Sequence, residues 1–526
     1  MKSHLQNAVN FRQTSQSMPA KPNQVKNNAG GFTFKASDLE IVKRFLILGT
    51  EGGSYYASQR KLTADMVNSS INTIRTNGID VVNLIVDIST SGRAVKNSGA
   101  LFLLAAAAGQ GDLQTRRAAL NALPKVARTA THLFEFLEYT KQFRGWGRAL
   151  KSAVANWYEA KDADALAYQM VKYRSREGWT HRDVLRKAHP STDEACHAAL
   201  YDWACHDKSN EHLPSIVYGF QKAIKVASPA EAVSVLKAYR NLPWETLNTA
   251  VLKDASVWKQ LLPTLPLTAL VRNLGRMTAN GALSPFSREV DLVVEKLGSS
   301  EYLQKARVHP VSLYVAKATY QSGRGDKGSL SWTPIPQVVK ALEDAFYKAF
   351  QFVEPTGKRF LLGLDVSGSM SGAKCSGMNI SAREASAVMA LTTLKSERNV
   401  ITMAFSGGFI PLSLSANDNM DSALHKVSRL PFDNTDCALP MLYAMKHKIP
   451  VDTFVIYTDS ETWFGSEHPH QALSHYRGVS GIPAKLVVVS MVANPFTIAD
   501  PSDKGMLDVV GFDTSTPAAI SEFSKL

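Results

Sequence analysis

From Lys358 onward, short and nearly uninterrupted apolar runs alternate with helical segments, and this alternation restricts the fold more than any other feature of the chain. Residues 359–365, 400–405, 453–458, 485–492 and 507–512 read as strands. Residues 381–397, 420–429, 437–448, 471–477 and 517–523 read as helices. Strands that are apolar on both faces must be covered on both faces. A parallel α/β sheet flanked by helices is therefore expected.

The first of these strands runs into Asp365-Val366-Ser367-Gly368-Ser369. One carboxylate and two hydroxyls then stand at the carboxyl end of a buried strand, where open α/β sheets hold ligands. Further oxygen donors follow at Thr435, ahead of a helix, and at Asp459, which ends the run 454–458. Hard oxygen donors of this kind suit Mg²⁺, with Mn²⁺ as the alternative. The pattern Asp-x-Ser-x-Ser, Thr, Asp resembles the metal-ion-dependent adhesion site of von Willebrand factor A domains. No Gly-x-Gly-x-x-Gly follows the strand, which argues against a dinucleotide site. Neither serine has the His-Asp partners of a hydrolase nucleophile. Carboxylates for a two-metal nuclease are missing from the motif. The residues point to ligand binding without catalysis.

Residues 37–350 show apolar spacings of three and four with almost no β-type alternation. Helical segments are expected at 81–88, 98–107, 113–127, 131–143, 146–160, 163–176, 214–226, 229–240, 266–277 and 286–297. Many helices joined by short loops suggest stacked pairs of the HEAT type. The polar residues 1–24 read as a flexible tail, residues 25–357 as the helical domain and residues 358–526 as the α/β domain. Four cysteines (Cys196, Cys205, Cys375 and Cys437), no hydrophobic leader and no apolar run near the roughly 20 residues of a membrane span point to a cytoplasmic protein without membrane contact.

Charge divides the chain. Residues 1–350 carry 45 Lys and Arg against 29 Asp and Glu, while residues 351–526 carry 14 against 17. A block of +16 joined to one of −3 calls for a polyanion partner on the first. The densest basic stretch, 172–190, holds Lys172, Arg174, Arg176, His181, Arg182, Arg186 and His189. Thr180 and Asp183 have capping-box spacing, so a helix is expected to start there, with Arg182 and Arg186 on one face. Lys172 and Arg176 are expected to share a face of the preceding helix. Guanidinium groups on rigid elements suit phosphate oxygens, and Trp179 or Tyr173 is placed to stack on an unpaired base. A second basic and aromatic stretch, 141–151, contributes Arg144 and Arg148.

Several segments together resemble the Ro autoantigen family: Asn28-Ala29-Gly30-Gly31-Phe32, Arg44-Phe45-Leu46 with the Gly-rich run 49–56, Trp146-Gly147-Arg148-Ala149-Leu150, Gly178-Trp179-Thr180-His181-Arg182-Asp183, the run 266–275, and the run 353–360. The helical block resembles the TROVE module, the likeness covers nearly the whole chain, and a bacterial member fits the extended N-terminus. This resemblance implies a monomeric ring of helical repeats whose ends are joined by the von Willebrand factor A domain. It implies Y RNA, or a Y-RNA-like small RNA, on the outer surface. It also implies that single-stranded 3′ ends of misfolded noncoding RNAs enter the central hole, in RNA quality control. A 3′-to-5′ exoribonuclease such as polynucleotide phosphorylase is the implied bacterial partner. Lys172, Arg176 and His189 match family positions that contact Y RNA; Asp365, Ser367, Ser369, Thr435 and Asp459 match the metal site. Gly368 departs from the alanine of animal members and leaves the ligands untouched. The alternative is a metal-dependent protein-adhesion scaffold on a passive helical support.

Overall fold

The computed structural model describes residues 13–49, 59–94, 96–325, 329–349, 354–373 and 381–526. The Gly-rich run from Thr50 on, the first twelve residues of the tail and Val353 lie outside these. Contacts group Met1–Ser70 with Phe350–Leu526 in one compact unit and Ile71–Ala349 in another.

In chain order the strands are β1 (Gln24–Lys26), β2 (Phe32–Lys35), β3 (Ser175–Arg176), β4 (Trp179–Thr180), β5 (Arg359–Asp365), β6 (Asn399–Phe405), β7 (Phe409–Pro411), β8 (Thr453–Thr458), β9 (Lys485–Ser490), β10 (Phe496–Thr497) and β11 (Met506–Val510). The first unit is built on a sheet of order β11-β9-β8-β5-β6-β7. Its strands are parallel except β7, which returns antiparallel on β6. Every residue of β8, and of β5 after Arg359, is buried, which explains their unbroken apolar character. The helix Ala382–Ser396 is buried nearly all round and begins in a capping box between Ser381 and Glu384. All five strands and five helices expected from the sequence are present, with ends shifted by a few residues.

The N-terminal segment departs from expectation. Residues 13–24, assigned to a flexible tail, are held against the α/β sheet's loops. Gln16 is fully buried: its amide nitrogen donates to Asp436 Oδ1 (2.7 Å) and to the Glu467 carbonyl (2.7 Å), and its amide oxygen accepts from the Thr462 hydroxyl. Its backbone bonds to Gly465 and Phe32. Strand β2 pairs with β1 and, antiparallel, with β10, so the N-terminal hairpin becomes part of the C-terminal unit. Arg44, wholly buried on the helix Asp38–Leu48, donates to the carbonyls of Asn494 and Phe496 and to Asp508. A polar composition suggested solvation, but these polar groups find partners inside the fold. Gln16→Ala removes three buried side-chain hydrogen bonds and is expected to cost about 3 kcal/mol. The measurement is the thermal midpoint, with a fall of roughly 6–10 °C expected for a unit of this size; an unchanged midpoint would mean the segment is not clamped.

The second unit is helical. Ser98–Gln110 packs on Leu113–Val126 and Ala130–Thr140, and Pro310–Gln321 packs on Pro336–Lys348. Gln59–Ser91 is two helical stretches that meet at non-helical Asn77 (φ −141°, ψ 46°), and the second contains the expected 81–88 segment. The following Gly78 explains the close approach: a Cβ there would lie 2.3 Å from the Thr115 hydroxyl. Residues remote in sequence touch within this unit. His309 Nε2 bonds to the Arg93 carbonyl at 3.0 Å, and a Cβ on Gly92 would lie 2.9 Å from that of Arg307. No helix among the described residues is long and apolar enough to cross a membrane.

Candidate metal centre and nucleic-acid interface

The chain leaves β5 for β6 on one side and later returns to β8 on the other. The crevice at the carboxyl ends of β5 and β8 is thus a topological switch point. Asp365, Ser367, Ser369, Thr435 and Asp459 are each at most 2% exposed. The Ser367 amide donates to Asp365 Oδ1 (2.9 Å), and the two serine hydroxyls are 3.0 Å apart. The Asp459 carboxylate accepts the Glu461 amide at Oδ1 (3.0 Å). The Thr435 carbonyl accepts from the amides of Trp463 and Phe464, tying its loop to the one that follows Asp459. Thr458, not singled out in the sequence, donates its hydroxyl to Asp365 Oδ2 at 2.6 Å. A polar residue closing an otherwise apolar strand was the available signal.

Burial raises the pKa of Asp365, and burial reinforced by the Asp365 charge and then by Glu461 raises that of Asp459 well above the carboxylate range. Asp459 Oδ2 and the Ser460 hydroxyl have no hydrogen-bond partner. Two buried carboxylates that burial holds against ionisation, an orphaned oxygen and neighbouring hydroxyls form a donor set that fits a hard divalent cation. Loops around the site are braced by the N-terminal segment. Asn27 donates to the Thr462 carbonyl (2.8 Å), Asn28 donates to Glu461 (2.7 Å), and a Cβ on Gly31 would lie 2.0 Å from the Thr462 carbonyl oxygen.

In the helical unit the predicted basic residues separate into two groups. The helix expected over 163–176 stops at Lys172, because Tyr173 leaves helical geometry (φ −116°, ψ 66°). Arg176 therefore does not share a helical face with Lys172. It stands instead on the β3–β4 hairpin, whose two turn residues, Glu177 and Gly178, have φ of 51° and 77°, the pattern of a type I′ turn. The Thr180–Asp183 capping box forms as expected and starts the helix His181–Ala188. Arg174, Arg176, Arg182, Arg186, His189 and Arg148 are exposed. Lys172 is largely covered, with Nζ 3.2 Å from the Tyr168 hydroxyl and 3.8 Å from Glu245. Arg144 is half-buried and donates to the Ala108 carbonyl at 2.9 Å.

The two basic stretches meet through their tryptophans. Trp146 and Trp179 lie 5.9 Å apart, with Lys187 over the first at 5.7 Å and Lys141 over the second at 5.0 Å. Trp179 is buried and donates Nε1–H to Glu138 at 3.1 Å. It is a packing residue and offers no face to a base. His181 is likewise corrected from an RNA contact to a structural residue. It is 5% exposed, accepts from the Tyr158 hydroxyl at Nδ1 (2.9 Å) and donates from Nε2 to the Tyr173 carbonyl (3.1 Å). Both ring nitrogens are used, and burial lowers its pKa to about 4, which keeps the ring neutral.

Because His181 binds its proton more weakly folded than unfolded, the stability it contributes is present above pH 6.5 and is lost as pH falls toward 4. The linkage amounts to roughly 2 kcal/mol at pH 5. His181→Asn is therefore expected to lose several degrees less than the parent between pH 7 and pH 5 in thermal melts; equal losses would refute the assignment.

Comparisons with known proteins agree with this architecture. Residues 25–223 and 228–358 match the TROVE domain family, and residues 359–524 match the Ro60 vWA domain. A Deinococcus radiodurans protein named RNA-binding protein RO60 is 39% identical over 99% of both chains. A Caenorhabditis elegans protein of the same name is 36% identical, over 96% of this chain and 90% of its own. The crystal structure of the Deinococcus radiodurans RO (RSR) protein superposes with a TM-score of 0.71, covering 93% of this chain and 99% of that one. Matches to the two domain families over nearly the whole chain, together with 39% and 36% identity to relatives over at least nine-tenths of their length, place the chain in the Ro60 family.

Proposed function

We propose that this protein is a non-catalytic RNA-binding ring of the cytoplasm. It binds Y RNA, or a Y-RNA-like small RNA, on the basic surface of its helical unit, and it accepts single-stranded 3′ ends of misfolded noncoding RNAs in the ring's hole. Its role is RNA quality control alongside a 3′-to-5′ exoribonuclease such as polynucleotide phosphorylase. The observation that carries this reading is the set of exposed guanidinium groups of Arg174 and Arg176, just before and on the hairpin, and of Arg182 and Arg186 on the helix, within a block of charge +16. Relatives named RNA-binding protein RO60 support it. The test is incubation of a small structured RNA with purified protein, followed by gel electrophoresis under native and denaturing conditions. A retarded complex whose RNA remains intact is expected. Free RNA, or cleavage lost in Asp365→Ala, would overturn the reading.

Asp365, Ser367, Ser369, Thr435 and Asp459 would hold Mg²⁺ or Mn²⁺, which supplies a positive charge between the two carboxylates and a coordination position for a partner's oxygen. The second reading, a metal-dependent adhesion scaffold, is favoured by exposed Phe432 and Phe464 close to Gly368 and Gly407. It predicts that Asp365→Ala loses a protein partner while RNA binding persists.

A further inference from the structure

Between the helix Ala163–Lys172 and the turn that follows the helix Pro229–Ala238, the helical unit contains a cavity of about 690 Å³. That volume lies within the range of pockets that hold small organic ligands. Tyr168, Tyr239 and Trp244 give it aromatic walls; Lys172, Lys237 and Arg240 give it cations. Asp164 and Glu245 also line it, so the cavity is neither uniformly basic nor apolar. Trp244 keeps its Nε1–H buried and without an acceptor, a donor that a ligand oxygen or nitrogen would satisfy. The same indole is supported from behind by Trp258 at 5.8 Å and by Arg276 at 5.7 Å. Lys172 and Glu245, 3.8 Å apart, present a donor and an acceptor side by side, as the edge of a base requires. Lys237 and Arg240 are exposed at the rim.

The cavity is continuous with the basic patch. Lys172 belongs to both, and Arg174 lies 5.1 Å over Phe220 of the helix Ser215–Ala223, whose first two residues line the cavity. Aromatic walls exclude inorganic phosphate as the best-matched ligand, and rim cations exclude a neutral apolar one. We propose that this cavity receives one unpaired nucleotide, with the base among the aromatic side chains and the phosphate on Lys237 and Arg240. The inference rests on the RNA-binding reading, in which the nucleotide is splayed from a strand held on the patch. A free nucleoside monophosphate offers the same chemistry.

The test uses the full chain in two arms. Intrinsic tryptophan fluorescence is titrated with GMP and AMP, with inorganic phosphate as control. In parallel, anisotropy follows a structured RNA carrying an unpaired segment, and the same RNA with one abasic site moved through that segment. Saturable quenching by a nucleotide but not by phosphate is expected, weakened about tenfold in Lys237→Ala/Arg240→Ala and also reduced in Trp244→Phe, which keeps the ring. One abasic position should weaken RNA binding about tenfold in the parent and far less in the double variant. If RNA binds but neither nucleotide quenches and no abasic position matters, the cavity proposal fails while the RNA reading stands. If nucleotides quench and RNA does not bind, the nucleotide is a free ligand and its origin in an RNA strand is refuted. Quenching equal in parent and variants would place the nucleotide elsewhere and also refute the proposal.

Discussion

Replacing Arg174, Arg176, Arg182 and Arg186 together by alanine is expected to lower affinity for a structured small RNA by about a hundredfold or more at low salt. Each exposed guanidinium that meets a phosphate releases condensed counterions. Removing four should therefore flatten the slope of log K against log salt by about 3 to 4 units. The fold should survive, because all four side chains are exposed and none of the four is a capping residue. Anisotropy titrations at four or more salt concentrations give both quantities. The four-lysine variant should keep most of the slope while losing affinity, since a lysine carries the charge without the planar two-pronged donor. A slope unchanged by the alanine variant would place the RNA elsewhere on the protein.

The second large effect concerns the crevice between β5 and β8. Without a cation, burial raises the proton affinity of both carboxylates, and the Asp365 charge raises that of Asp459 further. A carboxyl whose folded pKa lies above its unfolded value destabilises the fold once ionised, so metal-free stability from this pair should rise as pH falls through the folded value. A cation bound only by the folded state reverses the deficit at neutral pH. At a hundred times its dissociation constant it adds about 2.7 kcal/mol, or roughly 5–10 °C for a unit of this size. Differential scanning fluorimetry with EDTA and with Mg²⁺ measures this directly. Asp459→Asn should raise the midpoint in EDTA, because it removes one of the opposing charges, and should abolish the Mg²⁺ response. A response that persists in Asp459→Asn would remove Asp459 from the ligand set.

Much of this molecule was legible in its residues. Parallel strands announce themselves because both faces are apolar, and the metal-type loop follows from Asp365, Ser367 and Ser369 standing at a strand's end. Thr180 and Asp183 specify their helix start locally, through two short-range bonds. What escaped depends on partners remote in sequence. Gln16 looks like any solvated glutamine until Asp436 and Thr462, over 400 residues away, are placed beside it. His181 sits in a basic run and reads as a surface contact, but Tyr158 and the Tyr173 carbonyl claim both of its nitrogens. Helical spacing continued past Lys172 on paper, while the type I′ turn at Glu177-Gly178 pulled Arg176 into a hairpin. The cavity beside Lys172 was invisible for the same reason, since its walls come from segments between Asp164 and Pro266.

The most direct test of the central claim is a fluorescence anisotropy titration of a structured RNA bearing a single-stranded 3′ tail against the same RNA with the tail removed. It is run over a salt series with Mg²⁺ present. Tighter binding of the tailed RNA, an affinity that falls steeply with salt for both, and no cleavage of either are expected. Equal and salt-insensitive binding, or none, would contradict an RNA-binding ring and leave the metal-type site as the functional centre of the protein.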